Sequence, residues 1–271
     1  MSSLTARAAQ FAASTDWSQN AVAVEREIDL AEHDGVDLLV LPEGVLARFT
    51  DQKERIREYA QPLDGPFVTR VLQATRGTTV TVVLGVHETS DTDKPYNTLL
   101  AVRDGELVAR YRKIHLYDAF AARESDNITA ADVVPPLVDV AGFRVGLMTC
   151  YDVRFPELAR LLALAGADVL VLPAAWVRGP LKEHHWSTLV TARALENTTY
   201  VVASGECGEA NIGRSLVLDP LGVAVAQAGE GPDRITALLS RERLTDARTR
   251  LPVLENHRFD VSPTPRPLPV R

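Results

Sequence analysis

A chain of 271 residues that is 46% hydrophobic and 24% charged can bury a sizeable core, as one large domain or two small ones. Its formal net charge of −7 argues against a surface for nucleic acid or an anionic membrane, since either needs clustered Lys and Arg; a small neutral or zwitterionic partner fits better. Two cysteines, Cys150 and Cys207, are too few for a disulfide framework, so a reducing, cytoplasmic setting with a thiol free for chemistry is expected.

The N-terminal MSSLTARAAQFAAS lacks a long apolar stretch behind a basic lead, and no run approaches ~18 apolar residues, so neither secretion nor membrane spanning is expected. Short β-like runs then alternate with helical patterns, as in sheets covered by helices. A strand is predicted over 5–12, and residues 19–33 carry apolar positions at helical spacing up to Gly35, a natural stop. GVDLLVLPE comes next as a buried strand. Pro66 suits the first turn of a helix ending before Gly77, and TTVTVVLGV is the next strand. Residues 97–113 read as a hairpin turning on Asp104 and Gly105, a pair that tolerates positive φ; its second arm ends on Lys113. A strand pair flanks Gly142, and its FRVGLMT arm delivers Cys150. Pro156 opens the helix PELARLLALA, closed by Gly166. A helix over 185–197, a strand over 199–204, a hairpin turning at residues 219–222, the strand ITALL and a helix over 240–249 complete the pattern. No linker interrupts residues 5–250, so a single domain over 1–258 is expected, with a proline-rich extended arm over 259–271.

One stretch occurs twice. Residues 35–44 read GVDLLVLPEG and residues 166–175 read GADVLVLPAA, with alanine where the first copy has glutamate. Two similar halves imply two sheets packed face to face. In open α/β sheets ligands gather beyond the carboxyl ends of strands, where Glu43, Lys113, Cys150 and the segment after Pro173 all lie.

Cys150 follows a buried strand and precedes a turn and helix, so backbone amides there could stabilise a thiolate; a buried inert thiol is the plainer alternative. Glu43 ends an apolar run, where desolvation is expected to raise its pKa toward that of a working general base; a surface Glu past a strand end explains it as simply. Lys113, in RYRKIHLYD, fits an oxyanion partner or a solvated basic edge strand. Glu124, in FAARESD, needs no purpose on its own. His115, His184 and His185 leave Cys–His catalysis open, but without HExxH or paired CxxC spacing no metal is expected. Absence of GxxxxGK[ST] and GxGxxG motifs removes the usual phosphate cradles, and no cofactor is expected.

In order, LPEG, YRKIHLYD with RES soon after, and GLMTCYDVRFPELAR resemble the nitrilase superfamily of carbon–nitrogen hydrolases, over nearly the whole chain. The resemblance implies an α/β fold, a four-layer αββα sandwich of two mixed sheets with pseudo-twofold halves. It implies a catalytic Glu43 as base, Lys113 as oxyanion stabiliser and Cys150 as nucleophile, with Glu124 positioning the substrate amide and Lys113. The Tyr151 backbone N–H joins the oxyanion site. The small Ala174 and Ala175 leave room for substrate, and Trp176 is either pocket wall or core. CYDVRFPEL, HHWSTLVTARALENTTYVV and GECG before GRSLVLDPLG are most similar to the deaminated glutathione amidase and omega-amidase branch, whose substrates carry a carboxylate. Arg154 is the candidate to bind it, with an ion pair to Glu157 as the alternative. The resemblance also implies a homodimer or higher homo-oligomer. An N-carbamoyl amidohydrolase or a nitrilase would use the same thioester, whereas a non-catalytic binding subunit sits badly with four motif residues all present. Two segments where the family shapes its pocket depart from its pattern: the four-residue loop EANI before GRS, and the charged RGPLKEHHW before Trp186.

Overall fold

The computed structural model describes residues 2–49, 53–120 and 122–264. Strand β1 (Ser3–Gln10) leads to helix α1 (Trp17–His33), whose N-cap Asp16 accepts the Ser18 amide, and then to β2 (Leu38–Val40). A short helix α2 (Ile56–Tyr59) that carries no sequence signal precedes α3 (Pro66–Ala74), which begins on its proline as expected. Strands β3 (Thr81–Glu88), β4 (Tyr96–Arg103) and β5 (Glu106–Arg112) come next, with the β4–β5 turn at Asp104 and Gly105 at φ 49° and 76°. A small hairpin, β6 (Asp118–Ala119) and β7 (Ala122–Arg123), leads to a 3₁₀ turn over Glu124–Asp126. The second half runs β8 (Val138–Val140), β9 (Phe143–Leu147), α4 (Pro156–Leu164), β10 (Val169–Ala174), α5 (Lys182–Asn197) and β11 (Tyr200–Gly205). It ends with β12 (Leu216–Leu218), β13 (Ala224–Gln227), β14 (Asp233–Ser240), α6 (Arg241–Arg250) and α7 (Val253–Asn256).

The strands form two six-stranded mixed sheets, ordered β14-β1-β2-β3-β4-β5 and β13-β12-β11-β10-β9-β8. The repeated stretch supplies a matching strand to each: β2 lies between parallel β1 and β3, and β10 between parallel β9 and β11. Both faces of β2 are covered. Leu38 and Val40 enter the core between the sheets with Val169, Val171 and Val202, while Leu39 and Leu41 meet Val24 and Ile28 of α1. That is why the run is continuously apolar and does not alternate. Helices α1 and α3 cover one sheet, α4 and α5 the other, and β10 and β11 face β1, β2 and β3 across the interior. The αββα sandwich expected from the resemblance is the fold observed.

Proline ends the first copy of the stretch as a strand but not the second, since β10 continues through Pro173, paired with Ser204. Pro173 faces the β9 side, where pairing has already stopped at Leu147, so its missing N–H leaves no ladder bond unmade. Of the proline-rich arm expected over 259–271, residues 265–271 lie outside the described residues.

Candidate active site

Four strand ends bring the site together. Glu43 lies just past the end of β2, in a turn pressed so closely on β3 that a Cβ on Gly85 would lie 2.8 Å from the Gly44 amide nitrogen and 2.9 Å from the Glu43 Cα. Its carboxylate is buried and bonded at both oxygens. Oε1 accepts from Lys113 Nζ at 2.9 Å and Asn97 Nδ2 at 2.8 Å, and Oε2 accepts from the Ala175 amide at 2.9 Å. Ala175 closes the second copy of the repeated stretch, so the two copies meet end to end: one contributes the acid, the other a backbone donor that holds it.

Lys113, one residue beyond β5, is buried with 2% exposure and also donates to both Glu124 oxygens, at 2.9 and 3.2 Å. Glu124 is pinned in turn by the Tyr117 amide at 2.6 Å and by Asn97 at 3.0 Å. Burial opposes the charge of Lys113, but Glu124 and Glu43 outweigh it and hold the ammonium well above its ordinary range.

Cys150 opens a 3₁₀ turn over Cys150–Arg154 with φ 45°, a left-handed conformation that costs a non-glycine residue about 1–3 kcal/mol. The surrounding bonds enforce it. Asp152, with no exposed surface, returns its carboxylate to the Thr149 amide at 2.9 Å while accepting the Tyr111 hydroxyl at 2.8 Å and contacting His115 Nδ1 at 2.8 Å; Thr149 Oγ1 donates to the Pro173 carbonyl at 3.1 Å. Tyr151, second in the turn, is among the amides such a turn leaves without an internal acceptor.

Glu43, Lys113, Glu124 and Cys150 line one cavity, with Asn97 and Ala175 between them. A carbon–nitrogen hydrolase family model matches residues 5–249. The chain belongs to the carbon–nitrogen hydrolase family. It is 49% identical over 252 residues to a deaminated glutathione amidase of Escherichia coli O157:H7, covering 93% of this chain and 96% of the relative. It is 34% identical over 268 residues to one from Synechocystis, covering 94% and 98%. Among solved structures, Nit3 of Saccharomyces cerevisiae, a member of branch 10 of the nitrilase superfamily, is similar with a TM-score of 0.83 at 27% identity, covering 95% of this chain and 97% of that one.

Within this hydrolase the electrostatics differ from the sequence-based expectation in two respects. Burial does push the Glu43 carboxyl up, as expected, but Lys113, Arg48 and the hydrogen bonds from Lys113 and Asn97 outweigh it and bring the pKa down to about 2. Burial and the neighbouring Glu43 carboxylate push the Cys150 thiol well above its ordinary value, against the pull of Lys113. Both shifts favour a resting thiol beside a carboxylate.

The histidines expected as alternatives stand elsewhere. His115 holds Asp152 and stacks on Phe155 at 3.8 Å, and neither His184 nor His185 lines the cavity. His87, unnoticed in the sequence, does line it; burial and Arg48 take its pKa down to about 4, leaving it neutral at pH 7. Asn97 and Arg48 also lacked any motif, and no local signal would have found them. Of the residues expected to meet substrate, Ala175 lines the cavity, whereas Ala174 is fully buried in the core on the outer face of the second sheet. The Trp176 indole donates to the Lys182 carbonyl at 3.0 Å and leans on Trp186, so it is core on that side. Arg154 makes no ion pair with Glu157 or any other carboxylate among the described residues; its guanidinium lies 4.9 Å from the Trp176 ring centroid, outside the cavity lining. Cys207 is half-buried and outside the cavity, its pKa pushed up to about 11 by burial and then by Glu206.

Proposed function

We propose that this hydrolase cleaves an amide of a small carboxylate-bearing molecule through a thioester on Cys150, with deaminated glutathione, the substrate its relatives are named for, as first candidate. The observation that carries the reading is one cavity lined by Cys150, the buried Glu43 and a lysine shared between two carboxylates. As Sγ attacks the amide carbon, Glu43 takes its proton, and the oxyanion is met by Lys113 and the Tyr151 N–H. Collapse breaks the C–N bond while Glu43 passes the proton to the departing nitrogen. Water enters, Glu43 takes one of its protons, the hydroxide adds to the thioester, and release of the acid restores the thiol. Glu124 and Asn97 keep Lys113 and Glu43 in register. The departing amine is ammonia for a primary amide and an amine fragment when the amide lies inside a peptide-like chain, as in deaminated glutathione.

The test incubates the protein with deaminated glutathione, alpha-ketoglutaramate and glutamine, and measures both ammonia and released amines beside a Cys150→Ala variant. Turnover of one or more of these that vanishes in the variant supports the reading. Undiminished turnover in Cys150→Ala ends the nucleophile assignment, and carbon dioxide released with ammonia from an N-carbamoyl compound favours a carbamoylase.

The unpaired state of both cysteines supports a reducing, cytoplasmic setting. Among the described residues no helix is long and apolar enough to cross a membrane. A homo-oligomer is proposed as well, supported by exposed Leu195 beside Gly222 and by exposed Val223 and Val225, which follow Gly222 in the chain. A purely monomeric species in light scattering at assay concentration would withdraw it.

A further inference from the structure

We infer that Lys182 is the cation that holds the carboxylate of the substrate, and so sets the preference for anionic amides. The inference rests on the amidase reading but names a residue and a recess outside the catalytic cluster. A second hollow, lined by Phe120, Arg178, Gly179, Pro180 and Lys182, adjoins the catalytic cavity and shares Tyr117, Ala122 and Val177 with it. A short molecule with its amide over Cys150 can extend past Tyr117 into this hollow.

Two cations line the hollow, and they differ in what they have to bind. Arg178 is paired with Glu230 at 3.2 Å. Lys182 has 4% of its surface exposed and pairs with no carboxylate among the described residues. Its ammonium donates to the Tyr117 hydroxyl at 2.7 Å, which leaves two of the three hydrogens for a ligand. Aromatic faces hold the ammonium in place, with ring centroids of Phe120 at 4.3 Å, Tyr117 at 4.8 Å and Trp176 at 5.3 Å.

Arg154 stands next to it, also without a carboxylate partner among the described residues, its Nε buried and unbonded and its Nη2 3.4 Å from His185 Nδ1. Two unneutralised cations facing the same aromatic wall are costly in the empty protein, since like charges raise one another's energy. A carboxylate in the recess relieves that cost, contacting Lys182 directly and feeling Arg154 from behind. Lysine suits the place because a single ammonium on a flexible stem accepts carboxylates at several chain lengths, where a guanidinium would demand bidentate alignment.

The experiment compares the full chain with Lys182→Met, which keeps the stem among the rings, and Lys182→Arg, which restores the charge. Binding of the diacids succinate, glutarate and adipate is measured by titration calorimetry. Ammonia release is measured from glutaramate and from pentanamide, which lacks the carboxylate. The diacid that binds best to the parent is expected to bind Lys182→Met about 10- to 100-fold more weakly, the loss typical of one contact to a charged group, with much of it recovered in Lys182→Arg. The ratio of kcat/KM for glutaramate to that for pentanamide should fall by a similar factor. Unchanged diacid affinity in Lys182→Met overturns the inference, as does an equal loss on both amides, which would mark Lys182 as merely structural. Diacid binding that depends on Lys182, together with neither ammonia nor a released amine from any of the amides, deaminated glutathione included, would leave this inference standing and overturn the amidase reading alone.

Discussion

Replacing Glu43 by Gln keeps the shape of the side chain and removes its charge, and the bonds around it determine the cost. The carboxylate takes Lys113 and Asn97 on Oε1 and the Ala175 amide on Oε2. A Gln amide has one oxygen and one NH2, so one of its ends must oppose donor with donor. With the oxygen toward Lys113 and Asn97, only the Ala175 N–H loses its acceptor, at about 1–3 kcal/mol; turned around, two donors are opposed and the cost roughly doubles. The first orientation wins. Lys113 still holds Glu124 at 2.9 and 3.2 Å, so the penalty of about 3–5 kcal/mol for orphaning a buried charge does not apply in full. The fold should survive while its proton acceptor is gone. Loss of a general base costs about 10²- to 10⁴-fold, and because the proposed mechanism has Glu43 move a proton at each stage the upper end is expected, about 5 kcal/mol in kcat/KM. Thermal melts report the fold, and steady-state turnover with mass spectrometry of trapped acyl-enzyme reports the chemistry. A folded Glu43→Gln protein within about tenfold of the parent kcat/KM would refute Glu43 as the proton carrier.

Acid stability reflects two depressed pKa values. His87 titrates at about 4 in place of 6.5, so the unfolded chain takes up that proton first and stability is lost as pH falls from 6.5 toward 4; Glu43, at about 2 in place of 4.5, adds a second loss between 4.5 and about 2. Each is worth on the order of 3 kcal/mol, and urea melts across that range should show the upper step vanish in His87→Asn; an upper step of undiminished size in that variant contradicts the assignment. Gly85→Ala drives a Cβ to 2.8 Å from the Gly44 nitrogen, so β3 and the Glu43 turn must part at a cost of about 1–3 kcal/mol. Melting temperature and turnover should fall together, and an active variant with unchanged melting would show that the turn yields without moving Glu43. Since burial and Glu43 keep the proton on the Cys150 sulfur, Cys150→Ala should remove no ultraviolet thiolate absorbance at neutral pH; a clear decrease would reveal a resting ion pair.

The repeated stretch made the architecture legible, because a covered central strand must be apolar on both faces and two such runs need two sheets. Glu43, Lys113 and Cys150 were legible as well, each ending a strand inside a recognisable motif. Asn97 was not: it lies in the ordinary strand β4, and its place between Glu43 and Glu124 arises from pairing with β3 and β5, which no local pattern encodes. The direction of the Glu43 shift failed for a related reason. An apolar run before a carboxylate announces burial, but the ammonium and guanidinium that reverse its effect come from positions 113 and 48, and their approach is a matter of tertiary packing. Lys182 was visible only as part of a charged segment, since what sets it apart is the carboxylate it lacks.

A carboxylate at about 2 is a weak base, yet in the proposed mechanism it must take a proton from a thiol whose own pKa burial has raised. The cation that weakens it also resolves the difficulty. One Lys113 hydrogen goes to Glu43, and a second, shared between the two Glu124 oxygens, leaves the ammonium able to direct a third at a carbonyl oxygen. As sulfur adds to that carbonyl, negative charge grows on the oxygen and neutralises the field of Lys113. The attraction that held Glu43 down then falls away, and its basicity rises in the step that requires it. Proton transfer and bond formation are thereby tied together. The proton has no reason to leave sulfur until an electrophile is in place, so a water-filled site keeps a neutral, sluggish thiol and directs its reactivity only at a bound amide.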